Sequence, residues 1–423
     1  MANTDFDFDV AVVGGGPGGS SAATALVRLG RRVILLERER FPRFHIGESQ
    51  LPWSNEIFRA LGVEQAIAAG GFVKKWGASF RKPDSDVEQY ADFSAAVETP
   101  MPQTFQVDRA RFDEVLLRHC EKNGVDVREE HRVLDVAFEA NGVTVRFASP
   151  DGVEHTTRVK AVVDASGRTG LVLKRFGQHE YDPLLRNIAV HAQYEGIPRL
   201  TGRRSGDIRM FTRADMGWLW LIPLSETVTS VGAVIPKAVH QREGQATHEE
   251  SLTHYFAATA AAAKTLENAR RVSAARIDVD YSYLATRIAG DRWVAVGDAA
   301  AFLDPIFSTG VLLAMQGGLD AAAAIDAGLR SGDLSERTFV GYQNAVRKRF
   351  HHFRRFAVGF YDPAFRELWF APKPFLGIYG AIVSVLAGNW RPSLMTRARI
   401  ALFFALVAAR RKQLKAKGEG VAT

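Results

Sequence analysis

The chain has 423 residues, a net charge of +7 at neutral pH and an ordinary globular balance of 47% apolar and 24% charged residues. Its single cysteine, Cys120, excludes an intrachain disulfide framework and a cysteine-based zinc cluster, and it fits a reducing, cytoplasmic setting. No apolar run reaches the roughly 18–20 residues of a membrane span, no signal peptide is evident, and the basic runs 347–355 and 410–417 accompany no nucleic-acid module.

In chain order, Val10 to Val13 is an apolar run of the kind that forms a buried parallel strand. Gly14, Gly16 and Gly19 then complete G-x-G-x-x-G. The first glycine serves a tight turn, the second lets a pyrophosphate approach the backbone, and the third lets a helix lie on the sheet. Ser20 to Leu29 reads as that helix, with its free N–H groups directed at the phosphates. Val33 to Leu36 reads as a second buried strand, and Glu37 at its end is placed to accept from ribose hydroxyls. Strand, glycines, helix, strand and acid together predict a dinucleotide site. The acid favours an unphosphorylated ribose, as in FAD or NAD.

Residues 38–49 form a loop, punctuated by Pro42 and Gly47, that leaves this strand end along the cofactor. A short helix is expected over Ser54 to Leu61, and a strand over Phe72 to Phe80 that sends Lys74 and Lys75 to opposite faces. Val107 to His119 reads as a helix capped by Asp108. Strands at 125–127, 132–139, 142–147 and 156–163 suggest an antiparallel ribbon turned at Asn141-Gly142 and Asp151-Gly152. The stretch 188–235 is strand-rich and predicts a second sheet. Ser251 to Ala269 reads as one alanine-rich helix, Trp293 to Val296 as a buried strand ending in Gly297-Asp298, and a long helix follows Gly310. The tail from about Tyr342 is helical, basic and aromatic. The histidines lack ligand spacing, so no metal site is expected.

Gly14 to Gly19, Asp164-Ala165-Ser166-Gly167 and Gly297-Asp298-Ala299-Ala300 together resemble flavoprotein monooxygenases of the p-hydroxybenzoate hydroxylase type. The resemblance implies FAD, with Asp298 on the ribityl chain and Arg111 contacting the cofactor. It implies an α/β fold: a Rossmann-like FAD-binding domain over 1–340, a second, mostly antiparallel substrate sheet contributed by about 72–106 and 185–275, and a C-terminal helical region over 341–423.

Further motifs resemble the flavin-dependent halogenases. Trp218-Leu219-Trp220-Leu221-Ile222-Pro223 is similar to their W-x-W-x-I-P, and Phe302 to Gly310 to their F-x-x-P-x-x-S-x-G. Lys75-Trp76-Gly77-Ala78-Ser79-Phe80 resembles the segment carrying their catalytic lysine, and Gly47-Glu48-Ser49 a loop beside the flavin. The likeness implies that Trp218, Trp220, Ile222 and Pro223 separate flavin from substrate, and that Thr309 and Gly310 bind chloride or bromide. Arg38 and Val311 join the implied cofactor set. Each motif also has a plain reading: the tryptophans as sheet packing, Lys75 as a surface lysine, Ser308-Thr309-Gly310 as a helix cap.

Tryptophan halogenases carry a glutamate immediately before the Ser-Thr-Gly step, where this chain has Phe307. The departure suits an electron-rich phenol or pyrrole, free or on an acyl carrier protein. The implied enzyme is an FAD-dependent halogenase of secondary metabolism, fed by a separate flavin reductase. A hydroxylating monooxygenase or a polyprenyl or lipid reductase of the same fold is the alternative, and Ile400 to Ala409 with the basic tail leaves peripheral membrane contact open.

Overall fold

The computed structural model describes residues 6–83, 85–279, 282–371 and 376–417. The strand Phe8–Val13 stands in a parallel sheet between Val33–Leu36 and Glu154–Asp164, with Val13 opposite Leu36 on one side and Asp164 on the other. Trp293–Ala295 extends the sheet beyond Glu154–Asp164 and Asp126–Arg128 extends it beyond Val33–Leu36, all parallel. Val10 to Val13, Val33–Leu36, Ala161 to Val163 and Trp293–Ala295 are buried, which is why they read as continuous apolar runs, whereas the edge strand Asp126–Arg128 is half-buried. The register brings their carboxyl ends, at Gly14, Glu37, Ala165 and Val296, to one edge.

The first helix is Pro17–Arg28, three residues earlier than the sequence suggested. Proline at the first helical turn is preset for helical φ, so the glycine loop passes into the helix without an intervening segment. The ribbon Arg132–Phe138, Val143–Ala148 and Glu154–Asp164 is antiparallel.

A second sheet runs in the order Arg270–Arg271, Asn187–Glu195, Val228–Pro236, Trp218–Pro223, Ile208–Thr212, Gly77–Arg81, Glu88–Asp92. Alternation along Trp218–Pro223 divides its side chains. Trp218, Trp220 and Ile222 join the main core, whereas Leu219 and Leu221 enter a separate core with Tyr255 and Phe256.

Two expected elements are divided. Phe72 to Phe80 is not one strand: Val73–Lys75 pairs with Thr104–Gln106, and Gly77–Arg81 joins the second sheet. The break falls at Trp76 because Asp207 Oδ1 accepts the Trp76 and Gly77 amides, taking both out of any ladder. The alanine-rich segment is two helices, His248–Ala257 and Ala260–Leu266, parted at an extended Thr259. The first starts early because Thr247 and Glu250 form a capping box.

The C-terminal helices Val340–Phe360, Pro363–Phe370, Ile378–Leu386 and Leu394–Ala416 are docked against the rest of the chain. Phe80 packs against Phe360 and Trp369, at 5.9 and 5.2 Å between ring centres. Buried Arg366 donates to the carbonyls of Phe360, Arg213 and Met216. Among the described residues, no helix is long and apolar enough to cross a membrane.

Candidate active site

A cavity of about 540 Å³ opens at the carboxyl edge of the parallel sheet. Gly14, Gly16, Glu37 and Arg38 line it from the first strand–helix–strand unit, and Asp298 from the loop after Trp293–Ala295. The glycines differ in what they do. A Cβ on Gly16 would have only the Arg43 guanidinium within reach, at 3.5 Å, so its front is open to the cavity. A Cβ on Gly19 would lie 1.9 Å from the Gly14 carbonyl oxygen, so that glycine serves helix–strand contact. An open backbone beside a helix N-terminus suits a pyrophosphate, and the cavity falls within the usual size range for cofactor sites. The residues present fit FAD.

Glu37 is buried and shapes the loop. Its Oε2 accepts the Gly15 amide at 2.6 Å and its Oε1 the Glu39 amide at 2.9 Å. Each oxygen retains a lone pair for a ribose hydroxyl. Burial raises the Asp298 carboxyl to about 6, against the pull of Arg109.

Arg111 lies outside the cavity. It is exposed, with its guanidinium 5.9 Å from the Phe72 ring centre. Arg109 lines the wall instead, because two residues along a helix turn a side chain by about 200°. Asp113 holds Arg109 with bonds of 2.7 and 2.8 Å, and Arg109 also donates to the Ile46 carbonyl. The sequence signal that points to it is the i, i+4 pairing of Arg109 with Asp113.

Gly47, Glu48 and Ser49 form another part of the wall. Glu48 is buried, its Oε2 has no hydrogen-bond partner, and burial pushes its carboxyl up to about 7. Ser49 reaches beyond the wall. Lys75 Nζ donates to Ser49 Oγ at 2.8 Å and to the Gln50 carbonyl at 2.9 Å. Lys75 is 1% exposed and sits 5.2 Å from the Phe93 ring centre, whereas Lys74 is exposed. Burial brings the Lys75 amine down to about 7. Lys75 therefore lies behind the loop, outside the cavity proper.

Trp218, Trp220 and Ile222 line the cavity from the second sheet; Pro223 ends their strand and does not. The indoles are 5.7 Å apart between ring centres. Trp220 Nε1 donates to Ser230 Oγ at 3.1 Å and Trp218 Nε1 to the Tyr361 hydroxyl at 2.8 Å. The Tyr361 hydroxyl donates in turn to Asp304 Oδ2 at 3.0 Å, which also accepts from Asn187 Nδ2 at 2.9 Å. The roles of Tyr361 and Asp304 were not foreseen, because these bonds join the end of a tail helix to distant strands and to the loop before Pro305–Phe307.

The segment after Phe302 forms a 3₁₀ turn, Pro305–Phe307, closed by Ser308 at φ +56°. Gly310–Ser331 starts next, with Gly310 and Val311 on the cavity. Thr309 takes the cap position, but its hydroxyl makes no capping bond, and its Oγ1 is buried without a partner. A helix N-terminus beside an unpartnered hydroxyl has the donor chemistry for a small anion. Phe307 packs edge-on against Phe360 at 5.8 Å. Among the described residues, no His, Cys, Asp and Glu cluster could hold a metal ion.

A family model described as tryptophan halogenase matches residues 9–102 and 85–370. The flavin-dependent halogenase armH4 of Armillaria mellea is 35% identical over 381 residues, covering 83% of this chain and 71% of that protein. The 1H-pyrrole-2-carbonyl-[peptidyl-carrier protein] chlorinase of Pseudomonas fluorescens is 31% identical over 379 residues, covering 85% and 84%. Among solved structures, the myxobacterial chondrochloren halogenase CndH is 36% identical and superposes with a TM-score of 0.79, covering 95% of this chain and 97% of that one.

Proposed function

The chain belongs to the flavin-dependent halogenases, and within that family we propose that it places chlorine or bromine on an electron-rich phenol or pyrrole, free or tethered to a carrier protein. The carrier-borne form is supported by the Pseudomonas fluorescens relative, whose named substrate is a pyrrole on a peptidyl carrier. Phe307, standing where indole-directed relatives resembling this chain carry a carboxylate, supports a ring that needs no such group.

When bound and reduced, FAD would activate molecular oxygen, the oxidant that converts halide to hypohalous acid. A separate flavin reductase as electron source is part of the proposal, since one nucleotide fingerprint, Gly14 to Gly19, is present. Gly14, Gly16 and the Pro17–Arg28 terminus hold the pyrophosphate, Glu37 and Arg38 the ribose side, and Arg109 and Asp298 the remaining polar edge. Thr309 and Gly310 hold the halide. Trp218, Trp220 and Ile222 keep the organic ring out of the flavin cavity, so oxidant and not substrate crosses the wall.

Lys75 takes up the oxidant behind Ser49. In its neutral form the amine attacks hypohalous acid, an N–halogen bond forms, and water leaves. The aromatic carbon then takes the halogen, its proton is lost, and the amine is regenerated. Protonated Lys75 instead donates a hydrogen bond that orients the acid toward the ring. An amine near 7 supports both states at neutral pH. The observation that carries this reading is Lys75 Nζ, buried and 2.8 Å from Ser49 Oγ on the cavity loop.

The test is mass spectrometry of products from a panel of phenols and pyrrole thioesters, with FAD, a flavin reductase and NADH, with and without bromide. Bromide-dependent mass gain on a phenol or pyrrole is expected. Only hydroxylated product at saturating bromide would overturn the proposal.

A further inference from the structure

Asp207 immediately precedes the strand Ile208–Thr212 and is 1% exposed. Its Oδ1 accepts the backbone amides of Trp76 at 2.6 Å and Gly77 at 2.9 Å, and its Oδ2 accepts the Tyr90 hydroxyl at 2.8 Å. Trp76 and Gly77 directly follow Lys75. Gly206 presses on the preceding peptide: a Cβ there would lie 2.1 Å from the Lys74 carbonyl oxygen. Gly206 is itself fixed by Gln106 Nε2, which donates to its carbonyl at 3.1 Å. Gly206 and Asp207 therefore grip the backbone on both sides of Lys75.

This grip does not require a charge. An asparagine carbonyl would accept the same two amides, and its NH₂ would donate to the tyrosine oxygen. A buried carboxylate is costlier than that neutral amide unless a cation faces it. Among the described residues, Asp92 is paired with Arg203, Glu88 is paired with Arg204, and Glu48 and Asp207 are further acidic groups on the cavity loop and before Ile208–Thr212. Of these, Asp207 is the one whose negative charge opposes the effect of burial on the Lys75 amine, and the attraction is reciprocal.

We propose that Asp207 is a positioning residue for Lys75, gripping the Trp76–Gly77 backbone so that the amine meets Ser49 and contributing negative charge to the amine's surroundings. The inference rests on Lys75 being the carrier of the oxidant.

Two readouts test it: the pH dependence of Lys75 acetylation by trace acetic anhydride, followed by peptide mass spectrometry, and the pH profile of phloroglucinol bromination. In Asp207→Asn the hydrogen bonds persist and the charge is gone, so protonated Lys75 loses support. Its labelling midpoint falls by about 1 pH unit, the bromination profile moves the same way, and FAD affinity is unchanged. Asp207→Glu keeps the charge and displaces the Trp76–Gly77 backbone: the midpoint stays within about 0.3 unit while bromination slows ~10-fold. An unmoved midpoint in Asp207→Asn overturns the inference, as does wild-type bromination by Asp207→Glu. If Asp207→Asn does not fold, Asp207→Glu decides. Lys75→Ala run alongside separates the two levels: if it still brominates, the assignment of Lys75 fails. An unmoved midpoint in Asp207→Asn beside an inactive Lys75→Ala removes only the role of Asp207.

Discussion

Trp218 and Tyr361 are joined by a 2.8 Å hydrogen bond from the indole N–H to the phenol oxygen, although the two residues lie in the second sheet and in the C-terminal helical region. The phenol hydroxyl in turn donates to Asp304, so one chain of bonds ties the tail to the tryptophan pair and to the loop before Thr309. Tyr361→Phe leaves a buried indole N–H without that partner and takes a donor from a carboxyl that burial already raises to about 6. We expect a stability loss of about 1–3 kcal/mol, read as a lowered chemical-denaturation midpoint. Halogenated product should fall while FAD affinity is retained. Unaltered stability would show that the bond carries no weight.

Gly16 and Gly19 should respond oppositely to an added side chain. Gly16→Val points into open cavity, so the protein folds but no longer binds FAD, giving native circular dichroism and a flat flavin-fluorescence titration. Gly19→Ala drives its methyl to 1.9 Å from a backbone oxygen and should yield insoluble protein. Normal FAD binding by Gly16→Val would place the pyrophosphate elsewhere.

For Lys75, alanine should lower halogenation at least ~100-fold without changing FAD affinity, since the amine sits behind the cavity wall. Arginine should fail too, because a guanidinium stays protonated and forms no haloamine. Lys74→Ala should be near wild type, as its side chain points to solvent. The check is product yield by mass spectrometry beside a flavin titration. Substantial halogenation by Lys75→Ala would remove the amine from the reaction.

Glu48 sets a pH dependence of stability. Its carboxyl is raised from the ordinary 4.5 to about 7 by burial. Between those values the folded state holds a proton that the unfolded state releases, so stability falls as pH rises from about 4.5 to 7. Glu48→Gln resembles the protonated form and lacks this slope. It should equal wild type near pH 4.5 and exceed it by ~1–3 kcal/mol at pH 8, measured by chemical denaturation at the two values. Parallel curves for the two proteins would contradict the burial effect.

The cofactor side was legible in the sequence because its signals are local. Gly14 to Gly19 and Glu37 lie within one strand–helix–strand unit, and the indoles of Trp218 and Trp220 share a face because strand periodicity is two. Signals that depend on remote partners were not legible. The strand expected over Phe72 to Phe80 breaks at Trp76 because a carboxylate from residue 207 takes its amide. Arg111 was named by family likeness alone, whereas helix rotation turns Arg109 to the cavity. Tyr361 lies in a tail whose sequence announced only helix, charge and aromatic content.

The loop 47–50 is a partition one peptide thick: Ser49 lines the flavin chamber while its hydroxyl and the next carbonyl receive the Lys75 amine. A wall that thin separates two design problems. The cavity lining can stay constant while the packing around the Lys75 amine is varied at Phe93, whose ring centre lies 5.2 Å away. Redesign around Lys75 should therefore begin at Phe93 and leave residues 47–50 untouched, because any change there alters the cavity lining and the amine's partners at once.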